Sequence, residues 1–386
     1  MINKRILVVD DSCLYQRILS DVVDAQDGLE VVGVASNGRV ALNMMQRAKP
    51  DLVTLDILMP EMDGIQTLIQ LRKQWPSVKT VMVSSLTSEG SDATLDALAL
   101  GASEYAEKPS SVDGINSIRA GLTRDLVPKI EALCNVEVTR TPVAQTTNKM
   151  QAEFTPKRSA RTATVPPSNV SGIDIVAIGV STGGPDALAK LLSALPADFG
   201  VPIVIVQHMP AEFTGKLARR LDAASLLKVV EAQIGDKIRG GTVYIAPGGY
   251  HMTLDRIGTD VIVNLNKDEP ENSCRPSVDP LFRSIPSIFG DRCLGVILTG
   301  MGADGLKGCE ALSAANCPII VQDKATSIVW GMPKLVAMAG LAQEEVALDR
   351  MAEAVIARVR RVSRLNTHAA ANSDTHKHNT TSGGCA

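Results

Sequence analysis

The stretch IDIVAIGVSTGGPDALAKLL, residues 173–192, decides the fold of the second half of the chain. Its first eight residues form an apolar run rich in β-branched side chains, which is typical of a buried strand. A glycine-rich turn follows, and Pro185 then fits the first turn of a helix whose leucines recur at three- and four-residue spacing. A strand, a tight turn and a helix in this order make one unit of a parallel α/β sheet.

Similar units extend in both directions from this stretch. After the strand Ile173–Val180, the same pattern predicts strands at Pro202–Gln207, Thr242–Ala246, Val261–Leu265, Leu294–Thr299 and Pro318–Gln322. Toward the N-terminus it predicts strands at Arg5–Asp10, Leu29–Ala35, Leu52–Asp56, Thr80–Ser84 and Glu104–Glu107, followed by a closing helix over Val112–Cys134. We therefore expect an α/β protein with two doubly wound parallel-sheet domains, the first flavodoxin-like and the second Rossmann-like.

The segments outside these runs set the domain boundaries. We expect a first domain over residues 4–122, a helix end and flexible linker over 123–170, a second domain over 171–363 and a disordered tail over 364–386. The linker is rich in Thr, Pro, Ser, Gln and Asn, which bury too little apolar surface to order a chain. The tail carries His368, His376 and His378, but its composition favours disorder over a metal site.

Composition excludes several classes of function. A chain of 386 residues exceeds what one compact core usually serves, and its net charge of -3 offers no field that would attract nucleic acid or an anionic membrane. There is no signal peptide and no apolar run of the roughly 20 residues that a spanning helix needs, so we expect a cytoplasmic protein without membrane insertion. The seven cysteines lack the spacing of a zinc site and favour reduced structural thiols, although a cysteine nucleophile stays open.

Polar residues gather where the strands of the first domain end. Asp10 and Asp11 follow the first strand, Asp56 ends the third, Ser84 ends the fourth and Lys108 follows the fifth. The carboxyl ends of parallel strands meet at one edge, so the three carboxylates predict a Mg²⁺ site with Asp56 as a nucleophile that accepts a phosphoryl group. Taken singly, such residues are usually helix caps or solvated charges.

The strings ILVVDDS, LVTLDILMPEMDG, TVMVSS and EYAEKP resemble the receiver domains of response regulators over about residues 4–122. The resemblance implies that Asp56 is phosphorylated by a histidine kinase and that Asp10 and Asp11 help to bind Mg²⁺. It also implies that Ser84, Tyr105 and Lys108 are the switch residues.

A second cluster is predicted in the second domain. Ser181 lies in a G-x-S-x-G turn, His208 directly follows a strand, and Asp304 lies in a glycine-rich loop after another strand. A hydroxyl, an imidazole and a carboxylate at one sheet edge favour a nucleophilic triad, although the order Ser, His, Asp is not that of α/β-hydrolases. A phosphate-binding turn is the alternative for Ser181. We interpret His251 as a structural imidazole or a contact on the substrate side.

The strings GVSTGGP, QHMP, YIAPGGYHM, CRPSVDPLF and LTGMGADG resemble chemotaxis protein-glutamate methylesterases over about residues 171–363. The resemblance implies that Ser181, His208 and Asp304 form the triad and that the Met301 backbone N–H helps to form the oxyanion hole. It further implies hydrolysis of glutamate γ-methyl esters on chemoreceptors, deamidation of receptor glutamines, and a receiver that covers the esterase until it is phosphorylated. Mg²⁺ would serve the receiver alone, and the esterase would need no cofactor.

Two other classes of protein compete with this interpretation. An adaptor could use the second domain to bind a receptor or a nucleotide without turnover, and methanol release would distinguish it from an enzyme. A DNA-binding response regulator is excluded, because the predicted second domain is α/β and has no basic recognition helix.

Overall fold

The computed structural model describes residues 3–85, 88–109, 114–136 and 172–360. The predictions of a flexible linker and of a disordered tail with three histidines fall almost entirely outside the described residues. No helix in the described ranges combines the length and the apolar composition that crossing a bilayer requires.

The first domain is a five-stranded parallel sheet with strand order β2-β1-β3-β4-β5. Its strands are β1 (Lys4–Val9), β2 (Leu29–Ala35), β3 (Leu52–Asp56), β4 (Lys79–Ser84) and β5 (Glu104–Glu107). Its helices are α1 (Cys13–Asp24), α2 (Gly38–Ala48), α3 (Gly64–Gln74), α4 (Ser88–Ala99) and α5 (Ile115–Cys134). Helices α1 and α5 pack on one face of the sheet and α2, α3 and α4 on the other, which buries the central strand β3 on both sides.

The closing helix α5 differs from the prediction at its start. Ile118, Leu122, Leu126 and Ile130 recur at spacings of four residues and are buried against the sheet. The helix begins at Ile115, which is 53% exposed, because this first residue lies before the turn that packs on the sheet.

The second domain contains a seven-stranded parallel sheet with strand order β14-β13-β12-β6-β7-β9-β8. Its strands are β6 (Ile175–Val180), β7 (Ile203–Gln207), β8 (Lys228–Glu231), β9 (Thr242–Ile245), β12 (Cys293–Ile297), β13 (Ile319–Gln322) and β14 (Glu344–Val346). Its helices are α6 (Gly184–Ser193), α7 (Ala211–Ala224), α8 (Val278–Ser284), α9 (Pro286–Phe289), α10 (Leu306–Ala314) and α11 (Met332–Met338), and a final helix begins at 348.

One predicted strand belongs to a different sheet. The run Val261–Leu265 lies in β11 (Asp260–Asn266), which pairs antiparallel with β10 (His251–Ile257) as a separate hairpin. Of its seven residues only Val263 is fully buried and the other six are half-buried, which suits a hairpin that lies on the domain surface.

The order of strands fixes where a site can form. Strand β6 lies at the centre, between β12 and β7, and the chain leaves it in opposite directions to reach those two neighbours. In sheets of this kind a crevice opens at the carboxyl ends of the strands where the order reverses. The loops after β6, β7 and β12 carry Ser181, His208 and Asp304, so the topology brings all three predicted residues to one edge.

Candidate active site and receiver cluster

The acidic cluster of the first domain forms at the ends of β1 and β3. Ligand atoms of Asp10, Asp11 and Asp56 lie within 4.8 Å of one another. Lys108 Nζ lies 2.8 Å from Asp10 Oδ2 and 2.6 Å from Asp56 Oδ2. Burial of the Lys108 amine favours its neutral form, but the two carboxylates outweigh this effect and raise its pKa. Lys108 therefore remains charged beside Asp56, where it can neutralise an added phosphoryl group.

The same carboxylates suit a hard divalent cation. Asp10 is fully buried, and its Oδ2, which pairs with Lys108, points into the cluster. Burial raises the pKa of Asp10, and the negative charge of Asp56 adds to the rise while Lys108 opposes it. A Mg²⁺ ion held by Asp10, Asp11 and Asp56 would supply the positive charge that accepts phosphate oxygens.

Two of the predicted switch residues, Ser84 and Tyr105, are buried, and Tyr105 contacts the second domain. Ser84 is 5% exposed and Tyr105 is 8% exposed. The ring centroid of Tyr105 lies 4.9 Å from that of Phe213 in α7 of the second domain. Burial raises the pKa of Tyr105 well above its ordinary value, so its hydroxyl stays protonated.

The contact between the domains reaches the residue next to Ser181. Glu104, which precedes Tyr105, is buried and accepts a hydrogen bond from the Thr182 hydroxyl. Met301 and Ile328, from loops of the second domain, pack against the apolar cluster of the first. Beside them, Lys216 in α7 pairs with Asp92 at 2.9 Å and Arg220 pairs with Asp96 at 2.7 Å. The first domain therefore lies against the loops that carry the candidate triad.

Ser181 is held in a sharp turn between β6 and α6. Its backbone N–H donates to Thr299 O at 3.0 Å, and its carbonyl accepts from Gly184 N at 2.8 Å. Gly183 adopts a φ of 75°, which disfavours residues with a Cβ atom, and the helix starts at the next residue. The side chain of Ser181 is half-buried, so the turn presents its hydroxyl at the edge of the sheet.

His208 lies beside this turn and is paired with Asp304. Its backbone N–H donates to Val180 O at 3.2 Å, and the Gln207 amide bridges the carbonyl oxygens of Ser181 and His208. The imidazole Nε2 lies 2.6 Å from Asp304 Oδ2. Nε2 thus faces the carboxylate, and the imidazole also forms a hydrogen bond with Cys274. Within the described ranges no hydrogen bond joins the Ser181 hydroxyl to the His208 imidazole. The contact through which the serine proton would pass is therefore not formed in this structure.

The electrostatics of the His208–Asp304 pair favour a protonated imidazole beside an ionised carboxylate. Burial of the imidazole lowers its pKa, but hydrogen bonds to Asp304 and Cys274 and the Asp304 charge outweigh burial and raise the pKa of His208 above its ordinary value. Burial likewise raises the pKa of Asp304, yet its bonds to His208, Ser277 and Val278 and the charge of His208 outweigh burial and lower that pKa below its ordinary value. Asp304 therefore stays ionised, and it stabilises an imidazolium on His208.

Asp304 takes its orientation from a large set of donors. Its Oδ1 accepts from Ser277 Oγ, Asn272 Nδ2, and the backbone N–H groups of Gly305 and Asp279, at 2.7 to 3.1 Å. Its Oδ2 accepts from Val278 N at 2.6 Å as well as facing His208. The donors from Val278 and Asp279 belong to the first turn of α8, where free N–H groups attract a carboxylate.

Met301 and His251, the two other residues predicted in this domain, also lie near the triad residues or their partners. The Met301 backbone N–H donates to no hydrogen bond in the described ranges, and the neighbouring Gly300 lies against Ser181, since a Cβ on Gly300 would come within 2.8 Å of Ser181 Cβ. His251 is 1% exposed, with Nδ1 accepting from Ser277 N at 3.2 Å and Nε2 lying 3.1 Å from Glu269 O. These bonds favour the structural interpretation of His251 over a contact on the substrate side.

Sequence reasoning missed the segment that contacts both His208 and Asp304. Asn272, Cys274 and Ser277 all touch one of these two side chains. The string CRPSVDPLF was noted in the sequence as part of a resemblance, but nothing in its residues indicated which partners they meet.

Family models match both domains. The model of the response regulator receiver domain matches residues 6–118, and that of the CheB methylesterase matches residues 176–355.

Similar proteins cover nearly the whole chain. A protein of Trichodesmium erythraeum named protein-glutamate methylesterase/protein-glutamine glutaminase is 44% identical over 355 residues, which cover 92% of this chain and 99% of the relative. A protein of Desulfotalea psychrophila with the same name is 43% identical over 360 residues, 92% of this chain and 98% of the relative. A crystal structure of the Thermotoga maritima CheB methylesterase catalytic domain is 41% identical, covers 48% of this chain and 98% of its own, and has a TM-score of 0.47.

Proposed function

The chain belongs to the protein-glutamate methylesterase/protein-glutamine glutaminase family of response regulators, and from this premise we propose that it demethylates chemoreceptors under the control of its own receiver domain. The substrates are glutamate γ-methyl esters, which yield glutamate and methanol, and specific receptor glutamines, which are deamidated. The phosphodonor is the histidine kinase of the same pathway, and the protein acts in the cytoplasm. The observation that carries the proposal is the His208–Asp304 pair, 2.6 Å apart, at the sheet edge where Ser181 lies.

The arrangement supports acyl transfer. Ser181 attacks the carbonyl carbon of the ester while His208, in its neutral form, takes the hydroxyl proton. The Met301 N–H lies in the loop beside Ser181 and stabilises the oxyanion of the tetrahedral intermediate. His208 returns the proton to the leaving methoxide, methanol departs, and a water molecule then releases the glutamate side chain from Ser181. Asp304 stays ionised throughout and stabilises the imidazolium.

The receiver contacts support control by occlusion. Glu104 and Tyr105 of the first domain touch Thr182 and Phe213, so this surface and a receptor helix cannot occupy the loops beside Ser181 together. Phosphorylation of Asp56 would draw Lys108 and Ser84 toward the phosphoryl group and change the surface of β4 and β5. The aspartyl phosphate then favours the undocked form, in which the substrate reaches Ser181.

A phosphodonor experiment tests this control. Addition of a small phosphodonor with Mg²⁺ to the full-length protein is expected to raise methanol release from a methylated receptor about 5- to 150-fold, the usual range of coupling between two sites. The Asp56→Asn variant should keep the basal rate and lose the activation, because an amide cannot accept the phosphoryl group. Equal activation of both proteins would contradict a role for Asp56.

The ion pairs between α4 and α7 offer a second test of occlusion. Arg220→Glu replaces an attraction to Asp96 with a repulsion between half-exposed side chains, a change of about 1 kcal/mol or less, so the basal methanol rate should rise about 2- to 5-fold. Adding Asp96→Arg restores an opposite-charge pair and should return the rate toward that of the wild type. A basal rate that the single variant leaves unchanged would count against docking through this face.

A further inference from the structure

Two buried carboxylates lie side by side behind His208, and one amide joins them. Asp279 is fully buried and Asp304 is 2% exposed. Asn272 Nδ2 lies 2.9 Å from Asp279 Oδ2 and 2.9 Å from Asp304 Oδ1. The two hydrogens of this amide therefore go to two different carboxylates, which few other side chains could manage from one position.

Without the Asn272 amide, the close approach of the two buried carboxylates would cost electrostatic free energy. Burial raises the pKa of Asp279, and the negative charge of Asp304 adds to the rise, while the bonds from Gly308 N and Asn272 oppose it. Asp279 Oδ1 accepts a hydrogen bond from Gly308 N at 2.7 Å, and Oδ2 accepts one from Asn272. Asn272 places partial positive charge between two like charges at the point where they approach.

We propose that Asn272 is a positioning residue of the catalytic site, which orients Asp304 by binding Oδ1 so that Oδ2 faces His208. This inference rests on the proposed function, since it assigns Asn272 a role in the reaction of Ser181, His208 and Asp304. A carboxylate whose Oδ1 is fixed by donors cannot rotate about its Cβ–Cγ bond without breaking them. A change of even about 1 Å in the orientation of a catalytic group can cost about 100-fold in rate.

The backbone around Asn272 suits this role. Asn272 and Ser273 both adopt left-handed conformations, with φ of 53° and 62°. Asn tolerates this region better than most residues, so one side chain satisfies the turn and supplies the amide. On the N-terminal side, Glu271 forms two bonds with Arg283 of α8, at 3.0 and 2.5 Å, which anchors the turn to the helix that also binds Asp304.

Replacement of Asn272 by glycine removes the side-chain amide and leaves the backbone conformation unchanged. Asn272→Gly keeps the left-handed φ without strain and removes both hydrogen bonds, and Ser273→Gly is the matched control in the same turn. For the phosphorylated full-length protein we expect Asn272→Gly to lower kcat for methanol release about 10- to 100-fold with KM changed less than 2-fold. Ser273→Gly should stay within about 2-fold of the wild type in both constants.

An isosteric variant gives a readout that general loss of structure would not move. Asn272→Asp places a third carboxylate beside Asp279 and Asp304, and the added negative charge favours the imidazolium of His208. Neutral His208 then requires a more basic solution, so the acid limb of the pH profile of kcat should move to higher pH. If Asn272→Gly does not fold, as judged by its thermal transition, the kcat of Asn272→Asp at the plateau of its pH profile decides the proposal, because this variant keeps the shape of the side chain and lacks both donors to the carboxylates.

The outcomes separate the two claims. An active wild type, with both Asn272 variants folded and matching Ser273→Gly in kcat and in the acid limb, would overturn the role of Asn272 and leave the proposed function intact. A wild type that releases no methanol with phosphodonor and Mg²⁺ would overturn the proposed function and this role with it.

Discussion

Ser181→Ala is expected to lower methanol release by the phosphorylated protein about 10⁴- to 10⁶-fold, the range seen when a triad nucleophile is removed. Without the hydroxyl, no covalent intermediate forms and His208 has no proton to accept. Glutamine deamidation should fall by a comparable factor, because it uses the same attack on a side-chain carbonyl with ammonia as the leaving group. Single-turnover release of methanol and ammonia from a receptor fragment measures both losses.

A serine elsewhere on the same helix gives the control. Ser193 ends α6, is exposed, and its hydroxyl donates to Lys190 O at 3.3 Å. Ser193→Ala should leave both reactions within about 2-fold of the wild type. If Ser181→Ala retained either reaction at a rate close to that of the wild type, the hydroxyl would not be the nucleophile of that reaction.

Asp304→Asn is expected to lower the plateau rate about 10⁴-fold and to move the acid limb of the pH profile to lower pH. The loss follows because the amide neither fixes the tautomer of His208 nor stabilises its charged form. The shift follows because Asp304 raises the pKa of His208, and removing its charge leaves burial, which lowers that pKa, opposed by fewer groups. The base is then neutral at a lower pH. A pH series of initial methanol rates measures both effects.

The neighbouring buried carboxylate supplies a matched control for this variant. Asp279→Asn makes the same chemical change in the first turn of α8, but the Asp279 carboxylate accepts its hydrogen bonds from Asn272 and Gly308 and not from His208 within the described residues. We expect a smaller loss of rate and a smaller shift of the acid limb than for Asp304→Asn. Equal pH profiles for the two variants would contradict a specific effect of the His208–Asp304 pair.

The sheets and the ends of their strands could be predicted from the sequence because local information determines them. The apolar run before Ser181 becomes β6, with every residue buried, and the turn after it carries the predicted serine. Since parallel strands bring their carboxyl ends to one edge, naming the residues after β6, β7 and β12 was enough to group Ser181, His208 and Asp304.

The surroundings of Asp304 could not be predicted in the same way. Asn272 and Ser277 lie 32 and 27 residues from Asp304 in the chain, and they meet it only because the turn before α8 folds onto the loop after β12. No periodicity encodes such a contact. The separate hairpin β10–β11 was not predicted for a related reason, since an apolar run predicts a strand but not which sheet the strand joins.

The contact between the domains was expected from the resemblance alone, and its particular residues were not. Tyr105 was named as a switch residue, but its stacking on Phe213 and the bond from Thr182 to Glu104 depend on the relative placement of two sheets. The side chains involved are unremarkable in sequence, where an aromatic residue or a glutamate at a strand end has many ordinary uses.

The most direct test of this account is a parallel time course of methanol release from a methylated receptor by the full-length wild type and by Ser181→Ala, each with and without phosphodonor and Mg²⁺. We predict release by the wild type that rises on phosphorylation, and release by the variant that stays at the background of the receptor alone in both conditions. Matching time courses for the two proteins would contradict the claim that a serine at the edge of the second sheet, uncovered by the receiver, performs the reaction.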